Sequence, residues 1–198
     1  MNAQPLHDGQ NPSAWVQRWS HLVPQAGMVL DVACGTGRHM QCFAQRGHEV
    51  IGIDRNPAAA QAARRWGNVL EADIENGPWP LEGRSFAGVV VTNYLWRPLW
   101  RRLLASVAEG GVFIYETFAQ GNETVGRPAR PDFLLRRGEL LDVCGGPEWR
   151  IIAYEDGFLP DPERFVQRIA AIRQQHPPPH TDIQNENNSD SGVQRYLL

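Results

Sequence analysis

Lysine is missing: the chain has 198 residues, and all 19 of its basic side chains are arginine. That absence excludes Schiff-base catalysis, attachment of pyridoxal phosphate and the lysine of a phosphate-binding P-loop. Cysteine is scarce. Cys34, Cys42 and Cys144 are odd in number and show no Cys-x-x-Cys spacing, which reads as a reduced, cytoplasmic chain. No apolar run approaches the ~20 residues of a membrane span, and the polar start around Asn2 to Asp8 does not read as a signal peptide. An excess of one charge is lacking too. Nineteen basic against 22 acidic residues leave −3, so electrostatics alone give no reason to expect a nucleic-acid or membrane binder. What remains, 42% hydrophobic and 21% charged residues, is the composition of a soluble globular protein of one ordinary domain.

The hydrophobic pattern and the breaker residues divide the chain further. Asn11-Pro12 predicts a helix start, with Trp15 and Trp19 four residues apart on one face. Residues 28–33 read as a buried strand, followed by Gly35-Thr36-Gly37 and a helix with Met40, Phe43 and Ala44 on one side, closed by Gly47. Residues 49–53 form a second strand ending at Asp54, and Asn56-Pro57 opens an alanine-rich helix to about Trp66. Residues 68–72 are a third strand. Residues 86–92 are the most apolar and β-branched, hence central. A helix over 98–107 ended by Gly110-Gly111, a strand at 112–115, a long polar segment at 117–137, a helix at 138–143 and a strand at 149–154 follow. Residues 165–172 fit strand or helix equally by pattern. Beyond Gln174, His176-Pro-Pro-Pro-His180 and the polar stretch after it read as a disordered tail that binds no metal. The expected division is therefore an N-terminal helical cap (1–26), one main domain (27–173) and a tail (174–198).

Strands alternating with helices at this spacing predict an α/β fold with a mostly parallel sheet. Ligands in such sheets bind beyond the carboxyl ends of the strands, so residues 33–37, Asp54, Asp73, Asn93 and Glu116 are the ones to inspect. Glycines at 35 and 37 let the backbone turn tightly and approach a ligand at a helix start. Asp54, nineteen residues after Gly35, can accept two ribose hydroxyls. A dinucleotide fingerprint would need a third small residue where Met40 stands, and the carboxylate of Asp31 would repel a pyrophosphate. Asp31 suits a ligand carrying an ammonium group.

Val29-Leu-Asp-Val-Ala-Cys-Gly-Thr-Gly37 resembles the first motif of class I S-adenosylmethionine-dependent methyltransferases. Ile51-Gly-Ile-Asp54, Glu71-Ala-Asp73-Ile74 and residues 86–95 look like the second, third and fourth, in the family's order, over about residues 27–173. Within the class, Tyr115-Glu-Thr-Phe118, Gly121-Asn122, Gly126-Arg-Pro128 and residues 131–140 look like small bacterial methyltransferases of the tellurite-resistance type. The resemblance implies a Rossmann-like, doubly wound sheet of seven strands, mostly parallel with an antiparallel last strand, which requires 165–172 to be a strand. It implies S-adenosylmethionine as cofactor. Asp31 would hold the methionine end, and Ala33, Cys34, Gly35 and Gly37 would wrap it by backbone contacts. Asp54, with Arg55 in the same cofactor site, would take the ribose hydroxyls. Asp73 would bond the adenine amino group, Ile74 would pack on the ring, and Asn93 and Leu95 would lie beside the sulfonium. Two departures stand out: Ala33 replaces the motif's first glycine, and Asn93-Tyr-Leu-Trp96 replaces Asn/Asp-Pro-Pro-Tyr. The second argues against methylation of exocyclic amines on nucleic-acid bases.

The expected activity is methyl transfer to a small molecule by direct in-line displacement, with alignment supplying most of the catalysis. Glu116 is the candidate base for a protonated acceptor, with a hydrogen bond that fixes a neighbouring loop as its alternative role. Trp96 is divided between core packing and the substrate pocket. Segment 117–137 is the expected source of acceptor choice, and Arg127 and Arg130 could attract an anionic acceptor. Arg97, Arg101 and Arg102 read as a solvated helix face. The competing functions are a non-catalytic S-adenosylmethionine-binding protein and an NAD-dependent oxidoreductase.

Overall fold

The structure, a computed structural model, describes residues 11–175. The expected tail from 176 onward, with His176 and His180, lies outside the described residues, as do residues 1–10. Seven strands form one sheet in the order β3-β2-β1-β4-β5-β7-β6. They are β1 (Val29–Val32), β2 (Val50–Asp54), β3 (Asn68–Glu71), β4 (Phe86–Thr92), β5 (Val107–Phe118), β6 (Trp149–Pro160) and β7 (Glu163–Arg173). The first five pair in parallel, and β7 inserts antiparallel between β5 and β6. The expected seven-stranded sheet with an antiparallel last strand is what forms. Residues 165–172 are strand because both edges of β7 are taken, and alternate residues serve both faces of the sheet: Ile169 and Ala171 on one, Ala170 and Ile172 on the other.

Helices cover both faces. On one, α1 (Ala14–Trp19), α2 (Arg38–Ala44) and α3 (Pro57–Ala63) bring Trp15, Trp19, Met40, Phe43, Ala60 and Ala63 against Val29, Val90 and Ile114. On the other, α4 (Trp100–Ala105) and α5 (Glu139–Val143) bring Leu103 and Leu140 against Leu30, Val89, Phe113 and Tyr115. No helix among the described residues is long and apolar enough to cross a membrane.

Three local expectations are corrected. The cap of α1 is Ser13, whose side chain accepts from the Trp15 N–H, and not Asn11. The helix expected over 98–107 splits into a 3-10 turn at 97–99 and α4, and α4 ends at Ala105, where the Ser106 hydroxyl bonds back to the Arg102 carbonyl. Gly110 and Gly111 do not terminate that helix. They lie inside β5, where the register against β4 shifts and a methyl on Gly111 would meet the Phe86 carbonyl oxygen at 2.9 Å.

Candidate functional site

The turn between β1 and α2 places three residues in the left-handed region: Ala33 at φ 54°, Gly35 at 55° and Gly37 at 86°. Ala33 holds a conformation that a β-carbon disfavours. Gly35 has nothing within 4 Å of where a side chain would begin, so its backbone faces open space, whereas Gly37 packs on Ala63. The Gly35 N–H donates to Asp54 Oδ2 at 2.7 Å, and the Asn56 N–H donates to Oδ1 at 2.8 Å. Thus the half-buried carboxylate at the end of β2 fastens the glycine turn and keeps its remaining lone pairs at the sheet edge. The seat of Met40 is explained by β2: a methyl on Gly52 would lie 2.6 Å from the Met40 sulfur and 2.7 Å from that of Cys34. The close helix approach that a third glycine would allow comes from the strand instead.

Asp31 is buried, at 1% exposure, and its Oδ2 has no hydrogen-bond partner. Burial pushes its carboxyl up to about 7, against the opposing pull of Arg38 and the Met40 N–H, with Asp54 adding to the rise. An orphaned buried carboxylate oxygen costs free energy until a donor or cation reaches it. The neighbouring Cys34 thiol is held far up by burial and by the same two carboxylates.

Beyond β3, Asp73 accepts from the Glu75 and Asn76 N–H groups and from Asn76 Nδ2, which hold it below its ordinary value. Arg55 reaches Glu75 at 3.8 Å, which bridges the turns after β2 and β3, and Ile74 is buried in the core. After β4, Asn93 is left-handed at φ 52° and donates its N–H to the Glu116 carbonyl at 2.9 Å. Leu95 is buried, and Trp96 is partly buried against the core face that also holds Leu95. The residues expected at the cofactor therefore converge on the carboxyl edge of β1, β2, β3 and β4.

Glu116 ends up in a polar row that sequence reasoning missed. Thr92, Glu116, Arg168 and Glu155 are successive cross-strand neighbours on β4, β5, β7 and β6. Glu116 accepts the Ser13 hydroxyl at 3.0 Å and pairs with Arg168 at 3.5 Å, and Arg168 also grips Glu155. His39, buried at 2% exposure, sits above Thr92. Register across four strands brings these groups together, and no local spacing signals it.

Segment 117–137 is folded back and anchored. Gln120 and Leu135 donate backbone N–H groups to Leu135 and Phe118 carbonyls, and buried Asn122 bonds the Pro128 carbonyl and the Phe165 N–H. Arg97, expected on a solvated face, instead holds Glu139 and the carbonyls of Asp132 and Leu134. Arg130 pairs with Asp132 at 3.0 Å across exposed surface and lies over the Phe133 ring, while Arg127 is exposed and carries no ion pair among the described residues. A cavity of about 410 Å³ lined by Trp79, Leu81, Arg84, Arg101 and Arg102 lies at the opposite edge, by the amino ends of β4 and β5.

Residues 29–110 match the family model for a methyltransferase domain. None of the curated proteins matches the sequence. Among solved structures, TehB from Haemophilus influenzae aligns with a TM-score of 0.65 at 17% identity, over 80% of this chain and 61% of that one, so the chain spans less than two thirds of TehB. A TehB-like S-adenosylmethionine-dependent methyltransferase from Corynebacterium glutamicum aligns at 0.58 and 16% identity, over 82% of this chain and 89% of that one. Magnesium protoporphyrin IX methyltransferase from Synechocystis, solved with S-adenosylmethionine bound, aligns at 0.58 and 15% identity, over 81% and 76%. At such identities the likeness is one of fold.

Proposed function

We propose that the chain is an S-adenosylmethionine-dependent methyltransferase that methylates a small molecule at the carboxyl edge of β1, β4 and β5, a reading supported by the methyltransferase-domain match over residues 29–110 and by the shared fold. The observation that carries the reading is Asp31: a buried carboxylate with one unpartnered oxygen, directly before a left-handed glycine turn that faces open space. That donor-hungry oxygen fits the ammonium of an amino-acid moiety. Asp54 would hold the ribose hydroxyls with Arg55 beside it, the Asp73-Ile74 turn the adenine, and Asn93 and Leu95 the wall beside the sulfur. When bound, S-adenosylmethionine supplies a methyl group already activated by its sulfonium.

The chain's part is then alignment and exclusion of water, which need no covalent enzyme intermediate. Glu116 already shares Oε2 between the Ser13 hydroxyl and the Arg168 guanidinium. These contacts support its fastening role over that of a base. Segment 117–137, anchored by Asn122 and Arg97, would line the acceptor side, with Arg127 free to meet an anion, Arg130 already engaged by Asp132, and Trp96 at the border between core and pocket. A cytoplasmic setting belongs to the same proposal, supported by Cys34, Cys42 and Cys144, which are buried and free of disulfides, as suits a reducing compartment.

Calorimetry with S-adenosylhomocysteine tests the reading. Asp54→Ala removes charge-assisted bonds worth about 1.5–3 kcal/mol each, so affinity should fall at least tenfold per bond. Unchanged affinity would remove Asp54 from the site. Screening small anions and thiols for mass gain of one methylene then identifies the acceptor.

A further inference from the structure

Outside the cofactor turn, Ser13, just before α1, joins three elements through its backbone and hydroxyl. Its backbone N–H donates to His39 Nε2 at 3.1 Å. Its hydroxyl donates to Glu116 Oε2 at 3.0 Å and accepts the Trp15 N–H at 3.1 Å. A hydroxyl has one proton to give, and it goes to Glu116. Because His39 Nε2 is an acceptor, its ring proton is on Nδ1, and it points at Thr92 Oγ1, 3.3 Å away. Burial and the Arg38 charge lower this histidine to about 3, so the neutral ring that the two bonds require persists at ordinary pH.

Each end of the cluster is fixed to a different half of the site. His39 is the second residue of α2, and the next residue, Met40, gives its N–H to Asp31. Movement of that first helical turn therefore moves the cofactor carboxylate's partner and the glycine turn with it. At the other end, Glu116 lies in the last part of β5, one residue before segment 117–137 departs. Its partner Arg168 lies 4.8 Å over the Trp15 ring, and Trp15 Nε1 donates to the Ile169 carbonyl at 3.2 Å. The start of α1 is thereby seated on β5 and β7 while it holds α2.

We propose that Ser13 and His39 are positioning residues, which tie the cofactor turn to the end of β5 so that filling the cofactor site orders the start of α1 and the strand that carries the acceptor segment. The inference rests on the cofactor reading above, and neither residue touches the reacting atoms.

Hydrogen exchange with S-adenosylhomocysteine as probe tests it without an acceptor. In the native chain the probe should slow exchange both in residues 33–44 and in residues 11–19. His39→Leu should keep the first effect, lose the second, and bind the probe about tenfold more weakly. His39→Gln, whose carbonyl can accept the Ser13 N–H, should restore both. Ser13→Asp retains a helix-capping side chain but sets its carboxylate against that of Glu116, so it separates capping from coupling. It should melt near the native temperature yet lose protection at 11–19. It also carries the test alone if His39→Leu does not fold. Native-like affinity and protection in Ser13→Asp, or protection confined to 33–44 in the native chain, would overturn the coupling. A native chain that fails to bind the probe overturns the cofactor reading and the coupling with it.

Discussion

Arg97 and Glu139 meet head to head: Nε and Nη2 of the guanidinium donate to the two carboxylate oxygens at 2.6 and 2.8 Å. The pair spans 42 positions of sequence and joins the turn after β4 to the start of α5. The same carboxylate accepts the Arg136 N–H at 2.8 Å, and Arg97 also bonds the Asp132 and Leu134 carbonyls. One arginine therefore closes the far end of the acceptor segment. Arg97→Met would leave Glu139, at 5% side-chain exposure, with only the exposed Arg136 at 3.5 Å as its cation. The expected loss is about 3 kcal/mol, the low end for a broken buried pair because Arg97 is itself partly solvated. Urea unfolding measures it, and a loss under about 0.5 kcal/mol would show the pair to be incidental.

The pH dependence of Asp31 gives a second expectation. Its carboxyl moves from 3.8 to about 7 on folding, chiefly through burial. Between those pH values the folded chain retains a proton that the unfolded chain has released. The contribution of Asp31 to stability is thus full below about pH 4 and is lost as pH rises to about 7, with a slope approaching ~1.4 kcal/mol per pH unit. Asp31→Asn should flatten that slope and be the more stable protein above pH 7. Cofactor binding should run the other way. An ammonium beside Asp31 favours the carboxylate, so binding S-adenosylhomocysteine at pH 6 releases a proton, visible by calorimetry in buffers of different ionisation enthalpy. Binding without proton release would separate Asp31 from the amine.

Gly52 sets how closely α2 rests on β2. Gly52→Ala would force a methyl to 2.6 Å from the Met40 sulfur and 2.7 Å from the Cys34 sulfur. Overpacking of this kind costs about 1–3 kcal/mol. Thermal melting should show the loss, and combining Gly52→Ala with Met40→Ala should recover part of it. Equal melting of the single variant and the native chain would mean that the helix start yields freely.

Arg127 and Arg130 separate cleanly once an acceptor is known. Arg130 is occupied by Asp132 and by the Phe133 ring, whereas Arg127 is not ion-paired among the described residues. Arg127→Ala should raise the KM for an anionic acceptor several-fold and leave cofactor affinity unchanged, while Arg130→Ala should change little. Steady-state kinetics with calorimetry on the same variants decides it. If neither matters, the acceptor is neutral at that contact.

Much of this was legible in the sequence because the informative signals are local. Asn56-Pro57 caps and starts α3 as read, with the Asn56 side chain accepting from the Ala58 and Ala59 N–H groups. Asp31, Gly35, Asp54 and Asp73 fall where strand alternation and turn glycines put them. The misreadings also have local causes. Asn11-Pro12 offers good capping chemistry, but Ser13 wins because its hydroxyl also reaches Glu116. Gly110-Gly111 reads as a helix stop, but it serves a register shift set by β4. The partners of Glu116 were not readable at all. Ser13 and Arg168 are 103 and 52 positions away, and only the order of strands makes them neighbours.

The insertion of β7 between β5 and β6 has a consequence for the chain's synthesis. β5 is the inner wall of the sheet, yet its outer edge is completed by the strand that emerges last of the seven. A nascent chain whose sheet has reached β6 still exposes the backbone donors and acceptors of Val112 to Phe118, alongside an unpartnered β6. Such an open edge invites pairing with other chains until residues 163–173 arrive to close it from within. Ribosome stalling or truncation before that strand should therefore yield aggregates and not a smaller stable domain.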